Sequence, residues 1–353
     1  MIYISVLMKA SIKPYTLNFN FQAETSRGIL TQKETYFLKV DSNGKIGIGE
    51  CSPLWGLSID DRENFLPKLE EVRSDLAHFN LPENPEQAFD FAEKYIDFPA
   101  IRMGVEMALL EMMNGNHVYF ASEFLKNTPI EINGLIWMGD RVEMMERAME
   151  KMTQKFNVLK MKIGAIGFDD EVQILQKIRE ERPDLILRVD ANGGFGSTEI
   201  FEVLQELDKI GIHSIEQPIE KGNIDMMAQL CHESPIPIAL DEELIGCRNK
   251  LELLREVKPQ YLVLKPSLLG GFKETREWID HCKKFNTNWW ITSALESNVG
   301  LSAIAQFTSL YDNGMVHGLG TGSLYSNNIT SPLEVNEGYL YYGKTSWDFT
   351  VLE

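Results

Sequence analysis

The 353-residue chain is poor in cysteine, histidine and basic side chains, and it has no long apolar run. Each shortage excludes something. Its composition rules out a disulfide scaffold. Cys51, Cys231, Cys247 and Cys282 are scattered, form no CxxC pair and read as small buried hydrophobes in a reducing compartment. No stretch approaches the ~18 apolar residues of a membrane span. The opening run, Ile2 to Met8, lacks a basic start and a cleavage site and reads as a first strand. Lys and Arg number 34 against 52 Asp and Glu, a net charge of -18. Nucleic acid and anionic membrane surfaces both call for a basic footprint, so neither is an expected partner. None of His78, His117, His213, His232, His281 and His317 sits in a recognisable catalytic motif. A hydrophobic content of 44% excludes a disordered chain. The expectation is a soluble, cytoplasmic protein with a large core.

Organisation changes along the chain. Strands are expected over Ile2 to Phe21, Thr35 to Val40 and the glycine-punctuated Lys45 to Glu50. Helical patterns follow, the clearest carrying Val105, Ala108, Leu109 and Met112 on one face. Strands followed by helices suggest a small α+β domain over residues 1–125. From Pro129 onward, short apolar runs alternate with amphipathic helices. The strand candidates are Ile130 to Ile136, Val158-Leu159, Leu185 to Val189, Ser214-Ile215, Ile236 to Leu240, Tyr261 to Leu264, Trp289 to Thr292 and Val316 to Leu319. Such alternation implies a parallel sheet with right-handed crossovers, and eight units suggest closure into an α/β barrel over 126–328. The last stretch, 329–353, is expected to return as an extended tail onto the N-terminal domain.

Polar residues sit at the C-terminal ends of these strands: Lys160 and Lys162, Asp190, Glu216, Asp241, Lys265 and Ser293, then the run Gly318 to Gly322. From Lys162 to Ser293 the steps are 28, 26, 25, 24 and 28 residues, about one βα unit each. In a barrel such ends converge on one mouth, where barrel active sites lie. Asp190, Glu216 and Asp241 would then stand side by side and repel unless something positive holds them. An all-oxygen set suits a hard cation, most simply Mg²⁺ with Mn²⁺ as a substitute, with Asn192 and Glu242 as supporting partners. Lys160 and Lys162, two apart on a strand, share a face, and each disfavours protonation of the other. A lysine tuned in this way serves as a base. Base, metal and the second cation Lys265 around one pocket suit proton abstraction beside a carboxylate. A structural ion-pair network in the mouth is the competing reading.

Lys160-Met161-Lys162, Asp190-Ala191-Asn192, Glu216-Gln217-Pro218, Asp241-Glu242 and Lys265-Pro266 together resemble the enolase superfamily, in its muconate-lactonising subgroup. The resemblance spans nearly the whole chain. It implies a modified TIM barrel, (β/α)₇β, under an N-terminal α+β capping domain that the C-terminal segment rejoins. It further implies that Asp190, Glu216 and Asp241 ligate Mg²⁺, that Lys162 is general base and then acid, and that Lys160 assists electrostatically. Lys265 stands where racemising members use a second acid/base and a dehydrating member stabilises its intermediate. The run Ile291 to Leu301 and the segments Arg27 to Leu30 and Gly49 to Leu54 are most similar to that dehydrating member. The small-molecule substrate implied is a cyclohexadiene carboxylate with a succinyl side chain. Ser293, Arg27, Gly320 and Thr321 are the residues expected to contact it, and Arg188, in phase with Asp190, would order neighbouring groups. The rivals are racemisation or epimerisation of N-acylated amino acids or dipeptides, and a non-catalytic binding barrel. Against a dipeptide epimerase, Gly318 to Gly322 lacks the paired aspartates that hold a substrate ammonium.

Overall fold

A computed structural model of the protein describes residues 8–25, 28–164 and 166–352. The expected start of the first strand, Ile2 to Leu7, and the candidate substrate residue Arg27 lie outside the described residues. The N-terminal part is an antiparallel sheet, β1 (Lys9–Thr25), β2 (Gly28–Ser42) and β3 (Lys45–Cys51), followed by α1 (Phe65–Leu76), α2 (Pro85–Ala92) and α3 (Pro99–Asn114). The α3 helix is not one-faced as its periodicity suggests. Every residue from Pro99 to Met112 is buried, because α3 is wedged between β3 and barrel helices on its other side. The glycines of β3 make the wedge possible. A methyl group on Gly47 would run into the carbonyl of Ala108, and one on Gly49 into that of Gly104.

The barrel begins with β4 (Ile130–Glu131) and β5 (Gly134–Ile136). It continues through α4 (Arg141–Thr153), β6 (Val158–Lys162), α5 (Phe168–Glu181), β7 (Ile186–Asp190), α6 (Ile200–Ile210) and β8 (Ser214–Glu216). Then come α7 (Ile224–Glu233), β9 (Ile238–Leu240), α8 (Lys250–Val257), β10 (Tyr261–Leu264), the short α9 (Pro266–Leu269), α10 (Gly271–Phe285), β11 (Asn288–Ile291) and α11 (Asn298–Thr308). Strands β5 to β11 form one parallel sheet in chain order. The single strand expected over Ile130 to Ile136 is two elements, because Ile132 N–H donates to Gly338 O at 2.8 Å rather than continuing one ladder.

The eighth strand expected over Val316 to Leu319 is reduced to two bridging residues. His317 pairs with Ile132 and Gly318 with Thr292, so this pair joins the two edges of the sheet. Four backbone bonds of 2.9–3.1 Å tie the seam. A side chain at Gly318 would collide with that of Thr292, which keeps the seam glycine-dependent. The C-terminal hairpin, β12 (Leu333–Asn336) and β13 (Tyr339–Tyr342), pairs with β4. Beyond it, the rings of Trp347 and Phe349 pack on His117. A separate apolar cluster, including Leu17, Phe19, Leu54, Trp137, Leu295 and Tyr325, joins cap to barrel. Among the described residues no helix is long and apolar enough to cross a membrane, and all four cysteines are free thiols.

Candidate active site

Register brings the polar strand ends together. Lys162 pairs with Asp190 across β6 and β7, Asp190 with Glu216 across β7 and β8, and Glu216 with Ala239 on β9, two residues before Asp241. The alternation of a strand then sends Leu159, Met161, Leu187 and Val189 to the helices and the charged residues between them to the lumen. Asp190, Glu216 and Asp241 are almost fully buried, at 1%, 1% and 2% exposure.

Ammonium groups bridge these carboxylates. Lys160 Nζ donates to Asp190 Oδ2 at 2.9 Å and Glu216 Oε2 at 2.7 Å. Lys162 Nζ lies 3.3 Å from Asp190 Oδ2 and donates to Asn192 Oδ1 at 2.5 Å. Lys265 bonds Asp241 and stands 3.7 Å from Glu216 Oε1. Asn192 Nδ2 in turn donates to Glu242 Oε1 at 3.0 Å. The two lysines of β6 are pushed in opposite directions. Burial opposes the charge on Lys160, but Asp190 and Glu216 outweigh it and hold the group above the usual lysine value. Burial lowers Lys162, and the neighbouring Lys160 and Lys265 add to that against the pull of Asp190. Although burial works the other way, the three lysines hold Asp190 well below the usual carboxylate range. Burial and the adjacent Glu242 raise Asp241 well above it, with Glu216 and Asp190 adding to the crowding.

Among the described residues, no three His, Cys, Asp or Glu side chains stand close enough as placed to hold a metal ion, since the lysines lie between them. The donor set nevertheless suits a hard cation. It is all oxygen, comes from three successive strands, and leaves Glu216 Oε1 buried without a hydrogen-bond partner among the described residues. The crowding at Asp241 points the same way.

A cavity of about 400 Å³ opens over this cluster, lined by Lys160, Lys162, Asp190, Asn192, Lys265 and Ser293 at its polar end. Gly320 and Thr321 line it too, and among the described residues the buried Thr321 hydroxyl has no hydrogen-bond partner. Glu216 and Asp241 stand behind Lys160 and Lys265 rather than in the wall. Arg188 lies outside the wall as well, its guanidinium over the Trp290 ring at 4.1 Å and donating to Val316 O. It makes no hydrogen bond to the carboxylates among the described residues. At the far wall Phe21 and Leu54 of the cap meet Trp137 and Leu295; Leu54 and Leu295 lie in segments the sequence singled out, whereas Phe21 and Trp137 were missed. Trp137 directly follows β5, and its ring lies 5.9 Å from Lys162 Nζ. An aromatic residue just after a barrel strand was the available signal.

Backbone strain marks the same positions. Asn192, Gln217 and Leu295, each just beyond a barrel strand, hold positive φ of 45°, 41° and 67°. At Gln217 the strain has a use, because its side-chain oxygen accepts the N–H groups of Asp241 and Glu243 at 3.2 and 3.3 Å. It thereby links the end of β8 to the end of β9.

Comparison with known proteins follows from this geometry. A family model described as enolase C-terminal domain-like matches residues 143–344. An o-succinylbenzoate synthase of Desulfotalea psychrophila is 41% identical over 94% of this chain and 98% of its own. The crystal structure of MenC from Desulfotalea psychrophila superposes with a TM-score of 0.83 at 39% identity, covering 95% of this chain and 99% of that one. An N-succinylamino acid racemase of Thermus thermophilus is 26% identical over 82% of this chain and 79% of its own. A muconate lactonizing enzyme of Pseudomonas fluorescens shares the fold, with a TM-score of 0.85 at 21% identity over 98% of this chain and 97% of that one.

Proposed function

The chain belongs to the enolase C-terminal domain-like family, and from that premise we propose that it is a lyase with o-succinylbenzoate synthase activity. The reaction is syn dehydration of 2-succinyl-6-hydroxy-2,4-cyclohexadiene-1-carboxylate to o-succinylbenzoate, a step of menaquinone biosynthesis. The observation that carries the reading is 41% identity over nearly the full length of both chains, with Lys162 and Lys265 on opposite sides of one cavity.

Enzymes of this superfamily use a divalent metal with a Lys or His base. Asp190, Glu216 and Asp241 would hold Mg²⁺, for which Mn²⁺ would substitute, and the ion supplies positive charge to a carboxylate whose α-carbon loses its proton. The rest falls to the chain's own side chains. Of the three lysines of the site, Lys162 is the one held below the usual lysine value, by burial with Lys160 and Lys265 adding to it, so it takes the proton from the carbon bearing the ring carboxylate. The C–O bond to the ring hydroxyl then breaks on the same face, and the Lys162 ammonium returns the proton so that water leaves. Aromatisation of the ring drives this step. Lys160, held charged by Asp190 and Glu216, keeps positive charge beside the base. Lys265 sits four strands from Lys162 in an eightfold ring and faces the opposite side of the substrate. The ring carboxylate belongs at the polar end, and the succinyl arm runs toward Thr321 and the apolar wall.

A second reading, racemisation of an N-succinylamino acid, is favoured by that same opposed lysine pair and by the Thermus relative. Purified protein offered both substrate classes separates them. The expected result is dehydration with the higher kcat/KM, abolished by EDTA and restored by Mg²⁺. Absence of dehydration under Mg²⁺ overturns the reading.

A further inference from the structure

Glu296 is fully buried, at 0% exposure, and takes no part in the chemistry above. Its carboxylate joins two loops that carry site residues. One oxygen accepts the Ser267 hydroxyl, two residues beyond Lys265 at the end of β10. The other accepts the Ser293 hydroxyl at 2.5 Å and Ala294 N–H at 2.8 Å, beyond β11. Ser293 is thereby fully oriented, because its oxygen also accepts Leu295 N–H at 3.0 Å. The positive φ of Leu295 curls the loop so that Glu296 turns back on Ser293.

The next residue is gripped by the cap. Glu50 on β3, 1% exposed, accepts Ser297 N–H at 2.8 Å, the Ser297 hydroxyl at 2.5 Å and Gly300 N–H at 2.8 Å, which places it at the N-terminus of α11. Gly300 has no side chain to block this approach. A Cβ there would lie 2.9 Å from Glu50 Oε2 and 2.7 Å from Glu296 Cβ. Lys33 of β2 is buried nearby and bonds Ser52; burial lowers it, against the pull of Glu296 and Glu50.

We propose that Glu296 is a positioning residue that fixes the loop after Lys265 against the loop after Ser293, and that Glu50 makes this arrangement depend on a seated cap. The proposal rests on the proposed reaction only for its kinetic arm. A carboxylate accepting three donors from two loops holds both loops, whereas a purely structural group would stabilise the molecule without ordering either one selectively.

The test is hydrogen exchange on the full chain, wild type against Glu296→Gln, Glu50→Gln and Ser267→Ala. Faster exchange is expected in Glu296→Gln at both 265–270 and 293–300, and in Glu50→Gln at 293–300, with the rest of the barrel unchanged. Ser267→Ala removes one donor without a buried charge and serves if Glu296→Gln fails to fold, with faster exchange expected at 265–270. In kinetics, Glu296→Gln should lose ~10-fold or more in kcat with KM little changed, the signature of displaced reacting groups. Combined with Ser267→Ala it should lose no more than Glu296→Gln alone. Unchanged exchange at 265–270 in both Glu296→Gln and Ser267→Ala, or fully additive kinetic losses, overturns the proposal. A wild-type chain that fails to dehydrate the cyclohexadiene acid overturns the proposed reaction, while the exchange result still decides the role of Glu296.

Discussion

Lys160 and Lys162 are the same side chain two residues apart on one strand, yet their surroundings drive them apart. Lys160 reaches two carboxylates and keeps its proton. Lys162 reaches one, with a neutral amide beside it, and gives its proton up more easily. This division assigns the base. Replacing Lys162 with Ala should therefore cost ~10²–10⁴-fold in kcat, as loss of a general acid–base group does, measured by steady-state kinetics on a variant with wild-type melting behaviour. Near-normal turnover would remove Lys162 from the mechanism. The carboxylates make a separate prediction. Asp190→Asn, Glu216→Gln and Asp241→Asn should each weaken Mg²⁺ binding in titration calorimetry, and normal binding by all three would refute the triad. At this scale the sequence was informative, since alternation along β6 and β7 selects the lumen-facing residues. The unequal tuning of the two lysines was not legible, because it depends on Glu216, 56 residues beyond Lys160.

Helix α3 shows where periodicity misleads. Val105, Ala108, Leu109 and Met112 do share one face, packed in the core of the cap, but Met103, Met107 and Leu110 on the opposite face are buried in the barrel core, and Arg102, Glu106 and Glu111 on the flanks are buried as well. The four-residue stripe alone does not reveal that a second layer covers the other face and the flanking charges. What hides those charges is pairing: Arg102 donates to Glu274 of α10 at 2.9 Å, and Glu106 accepts Phe272 N–H at that helix's start at 2.5 Å. The glycines of β3 were visible in sequence, whereas their purpose required the helix against them. Gly49→Ala should destabilise the fold by about 1–3 kcal/mol or more, the usual cost of overpacking, read from urea unfolding. Gly44→Ala, in a turn with open space around it, is the contrast for steric collision, although its φ of 77° adds strain of its own. An unchanged midpoint in Gly49→Ala would show that the sheet can move off the helix at no cost.

At the scale of the whole molecule, the parallel sheet and its closure were legible from the regular spacing of the strand ends and the count of eight units, but the form of the closing element was not. Val316 to Leu319 has the composition of a strand, yet among the described residues its bridges to the sheet's edges are those of His317 and Gly318. His317 is also the seam's titratable group. Its Nδ1 accepts Ile291 N–H at 3.0 Å, and burial, with Arg188 nearby, lowers it to about 3. His213 is lowered to about 4 for the same reasons. Both are neutral in the native barrel and take up protons near pH 6.5 once unfolded. Between those values the unfolded chain binds more protons, so stability is full above about pH 6.5 and falls as the pH drops toward 3. His317→Gln should lessen the loss of urea stability between pH 7 and pH 5, and an unchanged difference would exclude His317 as a source.

The same seam sets an order on biosynthesis. Residues 317 and 318 connect Glu131 to Ile291, and Asn18 N–H in the cap donates to Asn327 Oδ1 at 2.7 Å. A nascent chain that has emerged through residue 310 already carries every lysine and carboxylate of the site, on an open sheet with two unpaired edges. It has the chemistry without the enclosure, and it is exposed to edge-to-edge association until residues 317 and 318 have emerged and closed the seam.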